Sequence, residues 1–398
     1  MKTSRRAFLK ASTAGCAGLV MAQAAPAAIS FMDSIGVGIV GMGDRGTGIA
    51  TLIKGIEGME FNAFCEIIPS RYESARQYGQ KHTKAYKDYR RLIEDKSVEA
   101  IVIATPFSIH AEIAMAALEA GKHIYCEKTL AYGIAPIRQL VEKAKATKTV
   151  FQTGHQYHSS RLYRHVMDLI HRGYLGHISL IECQWNRNGN WRKPVTGSKW
   201  DKMINWRMYR EYSGGLTAEL CSHQIDFANW VTGSHPIKVA GFGGIDYWKD
   251  GREVYDNIHL ITEYPNGMKA TYTSLTTNAK DNYQIKVLGQ KGSIVLGYDK
   301  AWVFKEHNDH PVEAKGVVDG VSGATLKAWE TGKGAPIDVS HIDPTRQALI
   351  DFKDNIIQDS TPQSNATTGA KVAIVVNMAL EAMDNNSVCH WKDEYNFF

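Results

Sequence analysis

The chain has 398 residues, 44% apolar and 22% charged, a balance of packed globular proteins that excludes a disordered chain, a collagen-like repeat or a coiled-coil rod. At ~150 residues per domain, this length predicts two or three domains. The formal charge is +5, but Lys2, Arg5, Arg6 and Lys10 supply four of those charges within the first 24 residues, which hold no acid; the body lacks the basic excess that tracks a phosphate backbone, and no nucleic-acid partner is expected.

Residues 4 to 10 read Ser-Arg-Arg-Ala-Phe-Leu-Lys, then an Ala- and Gly-rich apolar run leads to Met21 and Ala22-Gln23-Ala24. This resembles a twin-arginine signal peptide over residues 1–24, cleaved after Ala24. The run is shorter than the ~20 residues of a comfortable membrane span, so an uncleaved anchor is the weaker alternative. No later window reaches ~18 uninterrupted apolar residues, and the expectation is a periplasmic protein with no membrane contact after signal removal. That export route resembles one for proteins folded in the cytoplasm, which implies a tightly held cofactor. Cys65, Cys126, Cys183, Cys221 and Cys389 follow the signal; an odd set without Cys-x-x-Cys predicts neither a disulfide framework nor a zinc knuckle.

From residue 35, short apolar runs (Ile35–Val40, Met59–Cys65, Glu99–Ala104, His123–Cys126, Thr149–Thr153) alternate with helical stretches such as His110–Lys122 and Gly133–Lys148. Strands alternating with helices predict an α/β domain over 33–153, a doubly wound parallel sheet of Rossmann type. Residues 154–343 begin with an amphipathic helix, Arg161–Arg172, then turn to closely spaced strands: Ile178–Trp185, Ile237–Phe242, Asn257–Tyr264, Met268–Thr273, Gln284–Leu288 and Ser293–Leu296. They predict an α+β domain with a large, mostly antiparallel open sheet. Residues 344–398 supply two closing helices, near Pro344–Ile357 and Thr368–Met383, and a tail that packs back on the core.

Gly41-Met42-Gly43-Asp44-Arg45-Gly46 follows a strand and opens a helix, the context of a dinucleotide fingerprint whose glycines let pyrophosphate approach the helix N-terminus. Glu66, twenty positions on, stands where a carboxylate accepts the ribose hydroxyls, which favours NAD over NADP; Arg71 is the one nearby feature that suits a 2′-phosphate. Thr105, Pro106 and His110 follow the third strand, Glu127 and Lys128 the fourth, at the edge where such sheets bind ligands. Farther on, Glu219 and His223 are i and i+4 after a Gly-Gly pair. A carboxylate beside an imidazole orients it for proton transfer; a helix ion pair or a two-ligand metal site reads equally well, though a third ligand is wanting and no metal is expected.

These motifs in this order resemble the glucose-fructose oxidoreductase and inositol dehydrogenase family, Gfo/Idh/MocA, over residues 35 to 385. The resemblance implies a substrate held between the second sheet and the nicotinamide, Lys128 as catalytic lysine, and His223 as its acid/base partner. It places Glu219 where the family usually has Asp, and Thr129 where it usually has proline, two departures that leave the proton relay and the local backbone open. It also puts Gln156 on the cofactor. The stretches Trp185–Lys193 and Asn205–Tyr212 bring aromatic and polar side chains toward the cleft, with Trp206, Arg207 and Tyr209 as the substrate candidates for a sugar ring.

The resulting expectation is an NAD-dependent oxidoreductase acting on a secondary hydroxyl of a sugar, sugar derivative or cyclitol. Because free NAD is not expected outside the cytoplasm, the cofactor stays bound through a redox-neutral cycle. An NAD-dependent glycosidase resembling glycoside hydrolase family 109 is the alternative, and a non-catalytic sugar-binding scaffold a third. The exposed face of the second sheet implies a homo-oligomer by the same resemblance.

Overall fold

The computed structural model describes residues 34–195, 198–306 and 334–398. The signal-like segment lies outside the described residues, among which no helix is long and apolar enough to cross a membrane.

The first half alternates strand and helix: β1 (Ile35–Val40), α1 (Asp44–Ile53), β2 (Met59–Cys65), α2 (Pro69–Ala75), β3 (Lys84–Tyr86), α3 (Tyr89–Ile93), β4 (Ala100–Ile103), α4 (His110–Glu119), β5 (His123–Cys126), α5 (Ile134–Lys145) and β6 (Phe151–Thr153). All six residues of β1 and all four of β4 are buried, as befits strands covered on both faces. The sheet is parallel in the order β3-β2-β1-β4-β5-β6. Its order reverses between β1 and β4, so the loops after those strands diverge and leave a crevice at their carboxyl ends.

After α6 (Arg161–His171) the chain builds a nine-stranded sheet from β7 (Ile178–Trp185), β8 (Lys238–Gly244), β9 (Asn257–Glu263), β10 (Lys269–Leu275), β11 (Tyr283–Gly289), β12 (Gly292–Leu296), β13 (Ala301–Lys305), β14 (Ala335–Ile337) and β15 (Cys389–His390). Within this second sheet, only the β7–β10 pair is parallel among the described pairings. In β9, Ile258, Leu260 and Thr262 are buried while His259 and Ile261 are exposed, the period-2 pattern of a sheet covered on one face. Between β7 and β8 lies α7 (Ser222–Thr232).

The two closing helices tie the halves together. In α8 (Pro344–Gln358), Asp343 caps the first turn at Arg346 N–H and proline occupies the start, a favoured N-terminus. Its Ala348, Leu349 and Phe352 join the core of Ile35, Val37 and Tyr125. The following α9 (Ala366–Asn385) carries a capping box at Asn365 and Thr368 and packs against both α5 and β8.

Candidate active site

The crevice becomes a cleft of about 560 Å³ between the parallel sheet and the loops before α7, within the ~300–1,000 Å³ of small-molecule sites. Its nucleotide end follows from three glycines, two of which the backbone requires to be small. Gly41 has φ +92°, and a Cβ there would lie 2.6 Å from the Ala104 carbonyl; a Cβ on Gly46 would lie 1.9 Å from the Gly41 carbonyl. A Cβ on Gly43 would instead meet only Arg71 Nη1, at 3.5 Å, an ordinary contact. Gly43 precedes α1 without a side-chain cap, so free N–H groups and the helix dipole meet the cleft where an anion is favoured.

Glu66 lines the same cleft and receives the Met42 N–H at 3.0 Å and the Ile68 N–H at 2.8 Å. These bonds hold its carboxylate at the end of β2 with lone pairs still free for ribose hydroxyls. Three buried polar atoms around the cleft, Gln156 Oε1, Thr105 Oγ1 and Arg45 Nη2, have no hydrogen-bond partner among the described residues. Buried polar groups are normally satisfied, and three around one cleft fit a polar ligand such as a dinucleotide.

At the other end, Glu127 takes a hydrogen bond from Arg45 Nε at 2.6 Å, and Arg45 is also anchored to Thr345 at 3.0 Å. The next residue, Lys128, reaches across to a π-helical turn, Thr217–Cys221. Its ammonium donates to the Glu219 carbonyl at 2.7 Å and, more weakly, to that of Ala218 at 3.5 Å. The wide turn departs from the regular α-helical ladder, and these carbonyls face the lysine. The Lys128–Thr129 peptide is cis, and the Thr129 hydroxyl donates to the Ala218 carbonyl at 3.1 Å. Burial lowers the Lys128 pKa against the opposing pull of Glu219 and Glu127.

The Glu219–His223 dyad expected from spacing does not form. The Glu219 carboxylate pairs with Arg207 Nε at 2.7 Å. Burial pushes its pKa up, but Arg207 and Lys128 outweigh burial and hold it below the usual range. A buried carboxylate needs a full cation, and His223 cannot provide one: burial, reinforced by Lys128 and His155, drives its pKa well below that of a free imidazole. His223 lines the cleft with Lys128 as a neutral base, free of Glu219.

Of the residues read from sequence, Gly41, Gly43, Arg45, Glu66, Thr105, Pro106, Glu127, Lys128, Gln156, Trp206, Arg207, Glu219 and His223 share this cleft. Met42 buries its side chain and offers its backbone to Glu66, and Gly46 packs behind Gly41. Two expectations are corrected. His110 is not on the cleft wall but buried behind it, its ring nitrogens 2.9 Å from the Thr129 carbonyl and 3.0 Å from the Thr105 carbonyl. It ties together the loops that carry Lys128 and Pro106, because the short turn Phe107–Ile109 rotates it inward as α4 begins. Tyr209 points away as well, donating to Asp201 at 2.6 Å; the tight turn Trp206–Met208 directs Trp206 and Arg207 into the cleft and leaves Tyr209 beyond it.

Sequence reading gave no role to Lys193. Its ammonium bonds Asp44, the first residue of α1, at 2.6 Å across the cleft mouth, while Asn205 grips its backbone N–H at 2.7 Å and carbonyl at 3.0 Å. Its place in the flagged Trp185–Lys193 stretch was the available signal.

Fold and cleft together define a dinucleotide-binding protein with an open-sheet second domain. The chain belongs to the Gfo/Idh/MocA family: residues 35–155 match the family's NAD-binding Rossmann-fold model and residues 163–295 its C-terminal domain model. It is 26% identical over 252 residues to a levoglucosan dehydrogenase of Pseudarthrobacter phenanthrenivorans, covering 57% of this chain and 62% of that protein. A myo-inositol 2-dehydrogenase of Thermotoga maritima is 26% identical over 212 residues, 52% of this chain and 58% of that one. The chain thus spans about three fifths of the length of these two relatives. In three dimensions it resembles a levoglucosan dehydrogenase solved with NADH (TM-score 0.72, 22% identity, 90% of this chain and 99% of that chain). It also resembles an aldose-aldose oxidoreductase of Caulobacter crescentus (TM-score 0.72, 20% identity, 90% and 100%). These two likenesses carry the fold.

Proposed function

We propose that the protein is an NAD-dependent oxidoreductase that acts on a secondary hydroxyl of a sugar, sugar derivative or cyclitol. One observation carries the reading: the desolvated Lys128 ammonium and the neutral His223 imidazole line the same cleft as the glycine cradle and Glu66. The glycine cradle, Glu66, Thr105 and Gln156 would hold NAD, which when bound supplies the two-electron acceptor. Lys128, its pKa lowered by burial, takes the hydroxyl proton as the free amine; the carbonyls of Glu219 and Ala218 fix the position of its nitrogen. Trp206 offers an aromatic face and Arg207, stacked on it at 4.3 Å, a fork of donors, a pairing suited to a polyol ring. A panel of aldoses, anhydrosugars and inositols, read by NADH absorbance, tests the reading: turnover on one class supports it, and no turnover by protein that binds NADH rejects it.

The Arg5-Arg6 segment supports export by the twin-arginine route to the periplasm with the cofactor already bound, and the Lys193–Asp44 contact at the cleft mouth supports retention. A bound cofactor that is not exchanged implies a redox-neutral cycle. A second reading, an NAD-dependent glycosidase, is supported by 25% identity over 235 residues to a family 109 glycosyl hydrolase of Shewanella pealeana, covering 52% of this chain and 51% of that protein. Aglycone release from aryl glycosides without net NADH would select it. Exposed Phe242 and Ile261 on the second sheet support association with a second copy, which sedimentation would test.

A further inference from the structure

We propose that His155 forms the second step of a proton path leading from His223 through the cleft floor to a separate cavity behind it. The inference rests on the oxidoreductase reading, in which each oxidised hydroxyl releases one proton. With dinucleotide and substrate in the cleft, its mouth is the poorer exit.

His155 follows β6 and is 1% exposed. Its ring meets that of His223 edge to face, centroids 5.8 Å apart at 82°. His223 Nδ1 and His155 Nε2 are both buried with no hydrogen-bond partner among the described residues, so each of these neighbouring imidazoles has a nitrogen left over, and at this ring separation one bridging water can join them. On its far side, His155 Nδ1 lies 3.3 Å from Thr153 Oγ1, which in turn bonds Ser364 Oγ. His155 and Ser364 both line a second cavity of about 370 Å³, with Gln152 and Asp351; none of its lining residues belongs to the cleft.

The step balances. The alcohol O–H bond breaks and its proton goes to Lys128 and on to His223, while the carbinol hydrogen leaves with its electron pair as a hydride, which NAD, when bound, would accept. His223 gives its Nδ1 proton to His155 Nε2. His155 gives its Nδ1 proton to Thr153, Thr153 its own to Ser364, and Ser364 its own to solvent in the cavity; each relay group ends with the number of protons it began with. The charged and titratable neighbours of His155 are His223, Lys128 and Glu127 toward the cleft, and Asp226 and His158, paired with each other at 2.9 Å, on the other side. Burial lowers the pKa of His155 as it does that of His223, so both imidazoles are neutral carriers near pH 7.

The test compares His155→Phe with a Thr153→Val/Ser364→Ala double variant, which keeps the imidazole and removes the outer hydroxyls. Expected are unchanged NADH binding by fluorescence, unchanged KM, a kcat lowered about tenfold or more in His155→Phe, a raised solvent isotope effect in both variants, and recovery of His155→Phe by added imidazole. Should His155→Phe fail to fold, the double variant decides. Wild-type kcat and isotope effect in the double variant overturn the path, as does a His155→Phe defect that imidazole leaves untouched. A wild-type protein that binds NADH but turns over no polyol overturns the oxidoreductase reading and the path with it.

Discussion

Glu219 meets two cations with two different groups: its carboxylate pairs with Arg207 at 2.7 Å and its backbone carbonyl takes the Lys128 ammonium, also at 2.7 Å. The residue thereby raises the Lys128 pKa that burial lowers, whereas Arg207 lowers it further. Opposite shifts follow. Glu219→Gln removes the largest charge favouring the ammonium, so the free base appears at lower pH and the acidic limb of the kcat/KM profile moves down. Arg207→Met removes a competing cation, and the limb moves up. A pH profile of each variant from 5 to 10 checks the signs.

Lys128→Met should lower turnover by about 10²- to 10⁴-fold, the range of a lost general base, while NADH still quenches protein fluorescence. The cradle does not depend on the lysine, which contacts the π-helical turn instead.

Trp206→Ala should raise the substrate KM, and Tyr209→Phe should leave it nearly unchanged. Trp206 lines the cleft, whereas the Tyr209 hydroxyl is engaged by Asp201. Steady-state kinetics on one accepted polyol separates the two.

Lys193→Ala should speed NADH release several-fold without lowering Tm. The Lys193 and Asp44 side chains are 47% and 81% exposed, so the pair contributes at most about 1 kcal/mol to stability. Its position across the cleft mouth makes it a brake on exit, measurable by stopped-flow displacement; in wild type, added salt should weaken the brake.

Stability should fall on acidification from pH 7.5 to 5.5. For His110, His155 and His223, burial pushes the folded pKa below the ~6.5 of a free imidazole. Below that value the unfolded chain binds more protons than the folded one. Stability is therefore fully present above pH ~6.5 and is lost as pH drops toward the folded pKa values, by up to about 1.4 kcal/mol per pH unit for each group. Calorimetric Tm against pH tests the direction.

Much of the first domain was legible because buried parallel strands are short apolar runs and a glycine turn marks the nucleotide loop. The edge strand Lys84–Tyr86 was not: three residues, none of them fully buried, carry no periodic signal. The site was legible as a set of residues but not as a set of partnerships. Four-residue spacing placed Glu219 and His223 together, yet the choice of Arg207 as the carboxylate's partner depends on charge brought from another turn. His110 stood in the right motif and faces the wrong way, since one 3₁₀ turn decides whether it meets ligand or backbone. His155, adjacent to the flagged Gln156, needed both cavities to be seen.

Phe352 sits among side chains from the opposite end of the chain, Ile35 and Val37 among them, and the amide of Gln152 closes on the Ala348 carbonyl at 2.7 Å. A nascent polypeptide that has emerged only to residue 340 would therefore carry a nucleotide-binding half with an open greasy socket. Synthesis must run past Phe352 before that half is sealed, and fragments ending at the first domain boundary should be recovered as aggregates.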